Sequence, residues 1–143
     1  MARVTAKVIR KPRTQAVLRD YEGDLRALVG RAANLVRNTA VQSINQGAKS
    51  GVIYEKYNPR RTHRASAAGE PPATDTGQLV RSITMSVEGT EGEVVGVIRA
   101  SAPYAAMLEF GTSNIAPRPY MQPGLESQRR KIEEMFKKGG LIK

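Results

Sequence analysis

The sequence predicts a small α+β domain, in which a curved antiparallel sheet is covered by a long N-terminal helix and a C-terminal helix. Three patterns predict this fold class. Apolar residues recur at helical spacing over residues 20–46 and again over residues 123–138, whereas apolar and polar residues alternate over residues 82–87 and a valine-rich segment follows at residues 93–100. The length of 143 residues fits a single domain. We therefore expect residues 1–143 to share one core.

The composition excludes several kinds of site and leaves the meaning of the charge open. Because the chain has no cysteine, it has neither disulfides nor thiolate metal ligands, which suits a reducing compartment. No apolar run approaches the roughly 20 residues needed to span a bilayer. The formal net charge of +10 is typical either of a solvated basic surface or of a protein with an anionic partner.

The first 19 residues are basic and contain no acidic residue. Polar and apolar residues alternate weakly over residues 3–8, which favours a strand that Pro12 limits. We predict a flexible arm over residues 1–19 that orders on assembly and reaches a neighbouring subunit. An edge strand in the same place is the alternative.

Residues 20–46 form the clearest predicted helix, with one apolar face and basic residues on the other. Gly23 and Gly30 each weaken it by roughly 1 kcal/mol relative to alanine. Burial of each large apolar side chain stabilises it by about 1.5–3 kcal/mol, so the helix should continue through both glycines. The predicted apolar face comprises Tyr21, Leu25, Leu28, Val29, Ala32, Leu35, Val36, Thr39, Ala40 and Ile44.

Residues 49–74 break the periodicity and are predicted to be a long basic loop. Basic residues interleave with Tyr54 and Tyr57, and prolines and a glycine punctuate the segment. A loop of this length in a compact domain is usually functional or disordered. Three alternatives remain: a disordered surface loop, an ordered arm that grips another subunit, or a segment that binds single-stranded nucleic acid by stacking and charge.

Residues 82–100 are predicted to form a β-hairpin with a five-residue connection at residues 88–92. A short helical turn around Leu79 and Val80 precedes it, with Asp75 or Thr76 as its cap. Since two strands alone are only marginally stable, a third is expected. Either the N-terminal strand or residues 118–121 could supply it.

The segment PYAAMLEFGTSNIAPRPYMQPGL, residues 103–125, is predicted to fix the angle between two helices. Pro103 can begin a helix, and Gly111 can end it in a left-handed conformation. Pro117 and Pro119 favour an extended segment, after which Pro123 begins the last helix.

Glu109 lies next to the end of the first of these helices, where a carboxylate is unfavourable unless it is paired. One interpretation is an ion pair with Arg118. The other is an exposed, solvated glutamate, since surface ion pairs contribute little to stability.

Two segments resemble a family of tailed-phage proteins, known as neck, head–tail joining, tail-completion or minor tail proteins of long-tailed phages. One is AGEPPATDTGQLVRSI, residues 68–83, where Ala67, Ala68 and Gly69 depart from the Ala-Pro-Gly common in the family. The other is the segment of residues 103–125, which carries the family pattern at Tyr104, Ala105, Glu109, Phe110, Gly111, Thr112, Arg118, Pro119, Tyr120 and Pro123.

The resemblance implies a structural virion protein of the head–tail junction that assembles as a ring around the DNA channel. A hexamer matching the tail is favoured, and a dodecamer matching the head-side connector is possible. The implied partners are copies of the chain itself, the head-side connector, tail-side terminator or tube proteins, and DNA passing without sequence readout. Assembly would take place in the host cytoplasm. The alternative is a basic nucleic-acid-binding protein.

The sequence offers little material for an enzyme, a cofactor site or a metal site. His63 is the only histidine and is interpreted as a solvated loop residue. No phosphate-binding glycine loop or nucleophile elbow is present. The candidate functional residues are therefore those of a subunit or partner interface: Tyr54, Tyr57, Arg60, Arg61, Arg64, Glu109, Phe110, Gly111, Thr112, Arg118 and Tyr120.

Overall fold

The structure is a computed structural model that describes residues 2–7, 15–90 and 93–139, with the backbone alone for residues 2–7 and 15–20. It confirms the α+β class. In chain order the elements are β1 (Ala2–Lys7), α1 (Gln15–Gln46), β2 (Ile53–Lys56), β3 (Arg61–Arg64), α2 (Gln78–Ser82), β4 (Ile83–Thr90), β5 (Glu93–Ala100), α3 (Ala105–Phe110) and α4 (Met121–Lys138).

The main sheet has three antiparallel strands in the order β1–β5–β4, and β2 pairs with β3 in a second sheet. The third strand is therefore the N-terminal one, and residues 118–121 do not supply it. Since β1 forms a ladder with β5, Ala2–Lys7 is an edge strand, which corrects the prediction of an arm there. Residues 8–14 of the predicted arm lie outside the described residues.

Helix α1 covers one face of the main sheet and also packs against α4. It approaches β5 closely at Gly96, where a Cβ atom would lie 2.9 Å from the Cβ of Ala33. The buried cluster joins α1, α2, β4, β5, α3 and α4. Its members are Leu25, Leu28, Val29, Ala32, Ala33, Val36, Ala40, Ile44, Leu79, Ile83, Val94, Ile98, Ala102, Ala105, Tyr120, Met121, Ile132 and Phe136.

Three predicted elements are present with shifted ends. Helix α1 begins at Gln15, before the predicted start at residue 20, and α4 begins two residues before Pro123. The β4–β5 hairpin is confirmed, but its ladder continues to the pair Thr90–Glu93. The predicted five-residue connection is therefore too long, and residues 91–92 lie outside the described residues.

Two arginines on the predicted polar side of α1 contact the edge strand β4. The Nε of Arg37 donates to the carbonyl of Ile83 at 3.0 Å, and a terminal nitrogen of Arg26 donates to that of Gly89 at 2.9 Å. These bonds join both ends of β4 to the covering helix.

Candidate assembly surface

Residues 49–74 are not a structureless loop, because they contain the β2–β3 hairpin. Two hydrogen bonds prolong its ladder, from the Gly51 amide to the Ala65 carbonyl and from the Ala65 amide to the Val52 carbonyl, each at 2.9 Å. A Cβ atom at Gly51 would lie 2.6 Å from the carbonyl oxygen of Ser66, so the close approach requires glycine. Among the described elements, β2 and β3 each pack substantially only against the other. The hairpin therefore stands apart from the main core.

Asp75 attaches one side of the hairpin to the domain. Its carboxylate binds the Nζ of Lys56 on β2, and lies 2.7 Å from a terminal nitrogen of Arg61 on β3. The hydrogen bond from Lys56, with the nearby charge of Arg61, lowers the pKa of Asp75. The prediction that Asp75 or Thr76 caps α2 is wrong, since Gly77 holds the cap position with a φ of 74°.

Glu70 fixes the base of the hairpin. Its carboxylate accepts hydrogen bonds from the Ser50 hydroxyl, from the Ser50 amide at 2.9 Å and from the Ala67 amide at 2.8 Å. These hydrogen bonds lower the pKa of Glu70 to about 2, and the bond from the Ser50 hydroxyl has the largest effect. Beside it, the Nζ of Lys49 donates to the carbonyl of Pro71 at 3.0 Å. Both chain segments entering the hairpin are therefore held.

The hairpin exposes four large apolar or aromatic residues, which we call the hairpin patch: Val52, Ile53, Tyr54 and Tyr57. Their exposed fractions are between 52% and 71%. Because successive side chains of a strand alternate between its faces, Val52 and Tyr54 lie on one face of the hairpin and Ile53 lies on the other. The hairpin therefore exposes large apolar side chains on both faces, and each face is a candidate docking surface.

Charged side chains surround the hairpin patch. Glu55 accepts a hydrogen bond from the Tyr57 hydroxyl at 3.0 Å and lies 3.6 Å from a terminal nitrogen of Arg60. Arg64 is exposed and pairs with Ile53 across the ladder, while His63, which is partly exposed, pairs with Tyr54. An apolar centre with a charged margin is the usual anatomy of a protein interface.

The junction of α3 and α4 is organised by Glu109. Its carboxylate accepts hydrogen bonds from the backbone amides of Tyr120 at 2.9 Å, Met121 at 3.0 Å and Gln122 at 2.9 Å. A helix leaves its first amides without partners inside the helix. Glu109 binds three of them, and Pro123, next in the chain, has no N–H to satisfy. A side chain of α3 therefore caps α4.

Both sequence interpretations of Glu109 are wrong. The residue is buried, with an exposed fraction of 8%, so it is not a solvated surface glutamate. Its bound groups are backbone amides and not Arg118, because amides at a helix start offer donors and a favourable dipole together. Arg118 contributes through its own backbone, whose amide donates to the Leu108 carbonyl at 2.6 Å.

Gly111 ends α3 in a backbone conformation that favours glycine, with a φ of 74°. A Cβ atom there would lie 2.7 Å from the Ile115 carbonyl oxygen and 2.9 Å from the Pro117 nitrogen. The Pro117 carbonyl accepts a hydrogen bond from the Gly69 amide at 3.0 Å. The two segments that carry the sequence resemblance are therefore joined directly.

Tyr120 is buried between these helices, with an exposed fraction of 1%. Its hydroxyl donates to the carbonyl of Ala105 at 3.4 Å. Burial, and secondarily the charge of Glu109, raises the pKa of Tyr120 to about 12. The Tyr120 hydroxyl therefore links the start of α4 to α3.

Helix α3 exposes Met107 and Phe110, the latter with 69% of its surface accessible, and the loop that follows exposes Ile115. Beside Phe110 lies a groove of about 300 Å³, which we call the α3 groove. Its lining is mainly apolar, and Arg99, Ser101 and Glu109 also line it. The apolar residues lining it are Ala100, Ala105, Ala106, Phe110, Tyr120 and Met121.

The structure divides the predicted interface residues into three groups. Tyr54, Tyr57, Arg60, Arg61 and Arg64 lie together on the hairpin, and Phe110 and Thr112 are exposed at the end of α3. Glu109 and Tyr120 are buried within the subunit, and Gly111 and Arg118 shape the junction, so these four act by positioning others. Contact with a partner stays a prediction for the exposed residues.

Sequence reasoning missed the two carboxylates that hold the hairpin, Glu70 and Asp75, because their partners lie elsewhere in the chain. One signal for Glu109 was present: residues 120–122 offer no serine, threonine, aspartate or asparagine to cap α4. This absence favours a cap from another segment.

In the part of the chain that the structure describes, no group of three or more histidine, aspartate or glutamate residues is placed to hold a metal ion. No helix among the described residues is long and apolar enough to cross a membrane.

Comparison with known proteins gives one family. A family model described as "Bacteriophage HK97-gp10, putative tail-component" matches residues 1–111. The match therefore includes the hairpin, its two carboxylate anchors and α3 up to Gly111. No curated protein matches the chain. No solved structure matches it.

Proposed function

The chain belongs to the HK97 gp10-like family of phage tail components, and on this premise we propose that it joins head and tail as a ring-forming neck protein. A structural component of a phage tail acts by assembly, so its working parts are surfaces. In this proposal copies of the chain form a ring around the DNA channel, most simply a hexamer that matches the tail, with a dodecamer as the alternative. The ring would contact a head-side connector and a tail-side terminator or tube protein.

The observation that supports this function most directly is the hairpin patch. Glu70 and Asp75 hold the hairpin in place, so its exposed residues are presented in one arrangement before any partner arrives. Pre-organisation lowers the entropic cost of association. A neck protein that docks only where a matching surface exists needs a surface of this kind.

The charges of the hairpin favour a protein partner over a nucleic acid. Lys56 and Arg61 are engaged by Asp75, and Arg60 lies beside Glu55. Such pairs leave less positive charge for phosphate. DNA would pass through the ring without sequence readout, attracted by the overall charge of +10.

The experiment compares assembly with folding. Wild-type protein is examined by light scattering and negative-stain electron microscopy, and lysates that lack the protein are complemented with purified chain. The double variant Ile53→Ser and Tyr57→Ser should keep its circular dichroism spectrum, yet lose ring formation and the joining of heads to tails. The matched control is Lys131→Ser, at an exposed position on α4.

A double variant that forms rings and complements like wild type would contradict the role of the hairpin patch. A wild-type chain that stays monomeric and binds DNA strongly, with a steep loss on adding salt, would favour the nucleic-acid-binding alternative.

A further inference from the structure

Strand β4 forms one edge of the main sheet, and the ladder shows which of its backbone groups point outward. The Ser101 amide donates to the carbonyl of Ser82, and the register of β4 with β5 continues from this pair. In an antiparallel ladder, alternate residues direct their N–H and C=O groups at the partner strand, and the residues between them direct theirs away. The backbone groups of residues 83, 85, 87 and 89 therefore point outward, where a further strand would bind.

Both ends of this outward row are already bonded within the subunit. The Ile83 amide donates to the Val80 carbonyl, and the Ile83 carbonyl accepts from the Nε of Arg37 at 3.0 Å. At the other end, the Gly89 carbonyl accepts from a terminal nitrogen of Arg26 at 2.9 Å. Since these carbonyls point away from the sheet, each guanidinium occupies the place that the backbone of an added strand would take.

The spacing of the two arginines on α1 matches the spacing of the two carbonyls. Arg26 and Arg37 are about three helical turns apart, or roughly 16 Å, and the carbonyls of residues 83 and 89 are roughly 20 Å apart along the strand. Each guanidinium also has a partner on α1 itself. Arg26 lies 3.3 Å from the carboxylate of Glu22, and a terminal nitrogen of Arg37 donates to the side-chain oxygen of Asn38 at 3.2 Å. The helix therefore holds both arginines at the edge.

We propose that Arg26 and Arg37 close the β4 edge to strand addition, so that a second copy of the chain does not extend the sheet there. Between the arginines, no described residue bonds the outward groups of Met85 and Val87. An added strand can therefore pair with only two of the four outward residues, and it meets a guanidinium at each end. Charged side chains at an edge are a common protection against such pairing. This inference concerns a contact that the subunit avoids, and it holds whether or not the chain forms a ring.

The strength of the protection follows from the two carbonyls that the arginines occupy. One backbone hydrogen bond changes an equilibrium constant by about two- to tenfold. Two carbonyls made available to a second strand should therefore strengthen association at this edge by about four- to a hundredfold. Removal of two positive charges from the edge acts in the same direction.

The test compares the full-length double variant Arg26→Ala and Arg37→Ala with wild type. Sedimentation over a range of concentrations measures self-association, and hydrogen exchange read by NMR reports single amides. The double variant should associate about four- to a hundredfold more tightly than wild type. The amides of Met85 and Val87 should gain protection as its concentration rises. The matched control is Arg31→Ala, at an exposed position of the same helix, which should behave like wild type.

Two further variants separate edge pairing from loss of stability. A less stable subunit loses protection, whereas a paired edge gains it at two amides, so Leu28→Ala should show no gain at Met85 or Val87. Adding Met85→Pro to the double variant removes an outward N–H without removing a ladder bond, and should abolish the extra association. If the double variant does not fold, Arg26→Ala alone frees the Gly89 carbonyl, and Val87 should still gain protection.

Three results would overturn the inference. One is an Arg26→Ala and Arg37→Ala variant that folds but neither associates more tightly nor gains protection at Met85 and Val87. Another is extra association that persists with Met85→Pro, because it would then use a different surface. The third is wild-type protein in which the amides of Met85 and Val87 become protected on assembly, since β4 would then be a docking edge. None of these results bears on whether the chain forms a ring.

Discussion

Replacing Glu109 by alanine should destabilise the domain far more than its place beside an exposed loop would indicate. The substitution removes the acceptor for three backbone amides, of which those of Tyr120 and Met121 belong to buried residues. A buried donor left without a partner costs about 1–3 kcal/mol, so these two amides give a loss of about 2–6 kcal/mol. An ordinary cap substitution costs about 0.5–2 kcal/mol.

The assay is urea unfolding followed by circular dichroism, since the chain has no tryptophan. Phe110→Ala, one residue further along α3, is the matched control. Its side chain is 69% exposed, and its free energy of unfolding should change by no more than about 0.5 kcal/mol. The loss of unfolding free energy in Glu109→Gln should lie between those of Glu109→Ala and Phe110→Ala. The glutamine amide oxygen can accept a hydrogen bond, but its NH₂ group faces another donor.

Hydrogen exchange gives an independent readout. The amides of residues 120–122 should lose protection in Glu109→Ala before the core of α1 does. If Glu109→Ala and Phe110→Ala unfold at the same urea concentration, Glu109 does not cap α4 and the reasoning is refuted.

Three further outcomes are expected. Leu28→Ala, at a buried position of α1, should cost about 2–5 kcal/mol and Arg31→Ala, on the exposed side, almost nothing, and equal urea midpoints would contradict this assignment. Gly111→Val should cost at least about 1–3 kcal/mol through its positive φ and disturb the direction of α4, so helical signal should persist while ring formation fails. Normal ring formation by Gly111→Val would contradict this prediction. Because the pKa of Glu70 is held at about 2, below its usual 4.5, its contribution to the hairpin base is complete above pH 4.5 and lost as pH falls towards 2. Hydrogen exchange of the Ser50 amide should speed up as this contribution is lost. If a Glu70→Gln variant shows the same pH dependence of exchange, protonation of Glu70 is not its cause.

The elements predicted correctly are those with a local signal. The apolar face of α1, including Val29 and Val36, the alternation within β4 and the valine-rich run of β5 are visible in short windows of sequence. The β2–β3 hairpin lacks that signal, because β2 is exposed over Ile53–Glu55 and β3 is largely exposed. Strands without a buried face show no alternation between apolar and polar residues.

The contacts that hold the candidate surface could not be predicted because they join distant positions. Asp75 binds residues of both hairpin strands, and Glu109 binds amides beyond an intervening loop. Electrostatic reasoning suggested a partner for Glu109 but favoured a side-chain cation. The free amides of a helix start, which exist only once the helix is placed, were the stronger partner.

The hydrogen bonds around residues 112–116 also make the direction of α4 independent of the length of the loop that precedes it. The loop closes on itself through the Thr112 amide and the Ile115 carbonyl, 2.8 Å apart, and its flanks are held by the Gly111 and Arg118 amides bonded to α3. A short epitope inserted between Ser113 and Asn114 would break the bonds within the loop but leave the two flanking bonds to α3, so the urea midpoint should fall only slightly while α4 keeps its direction. The chain thus contains a built-in position for a visible tag, from which an image of a whole particle would show where each copy sits.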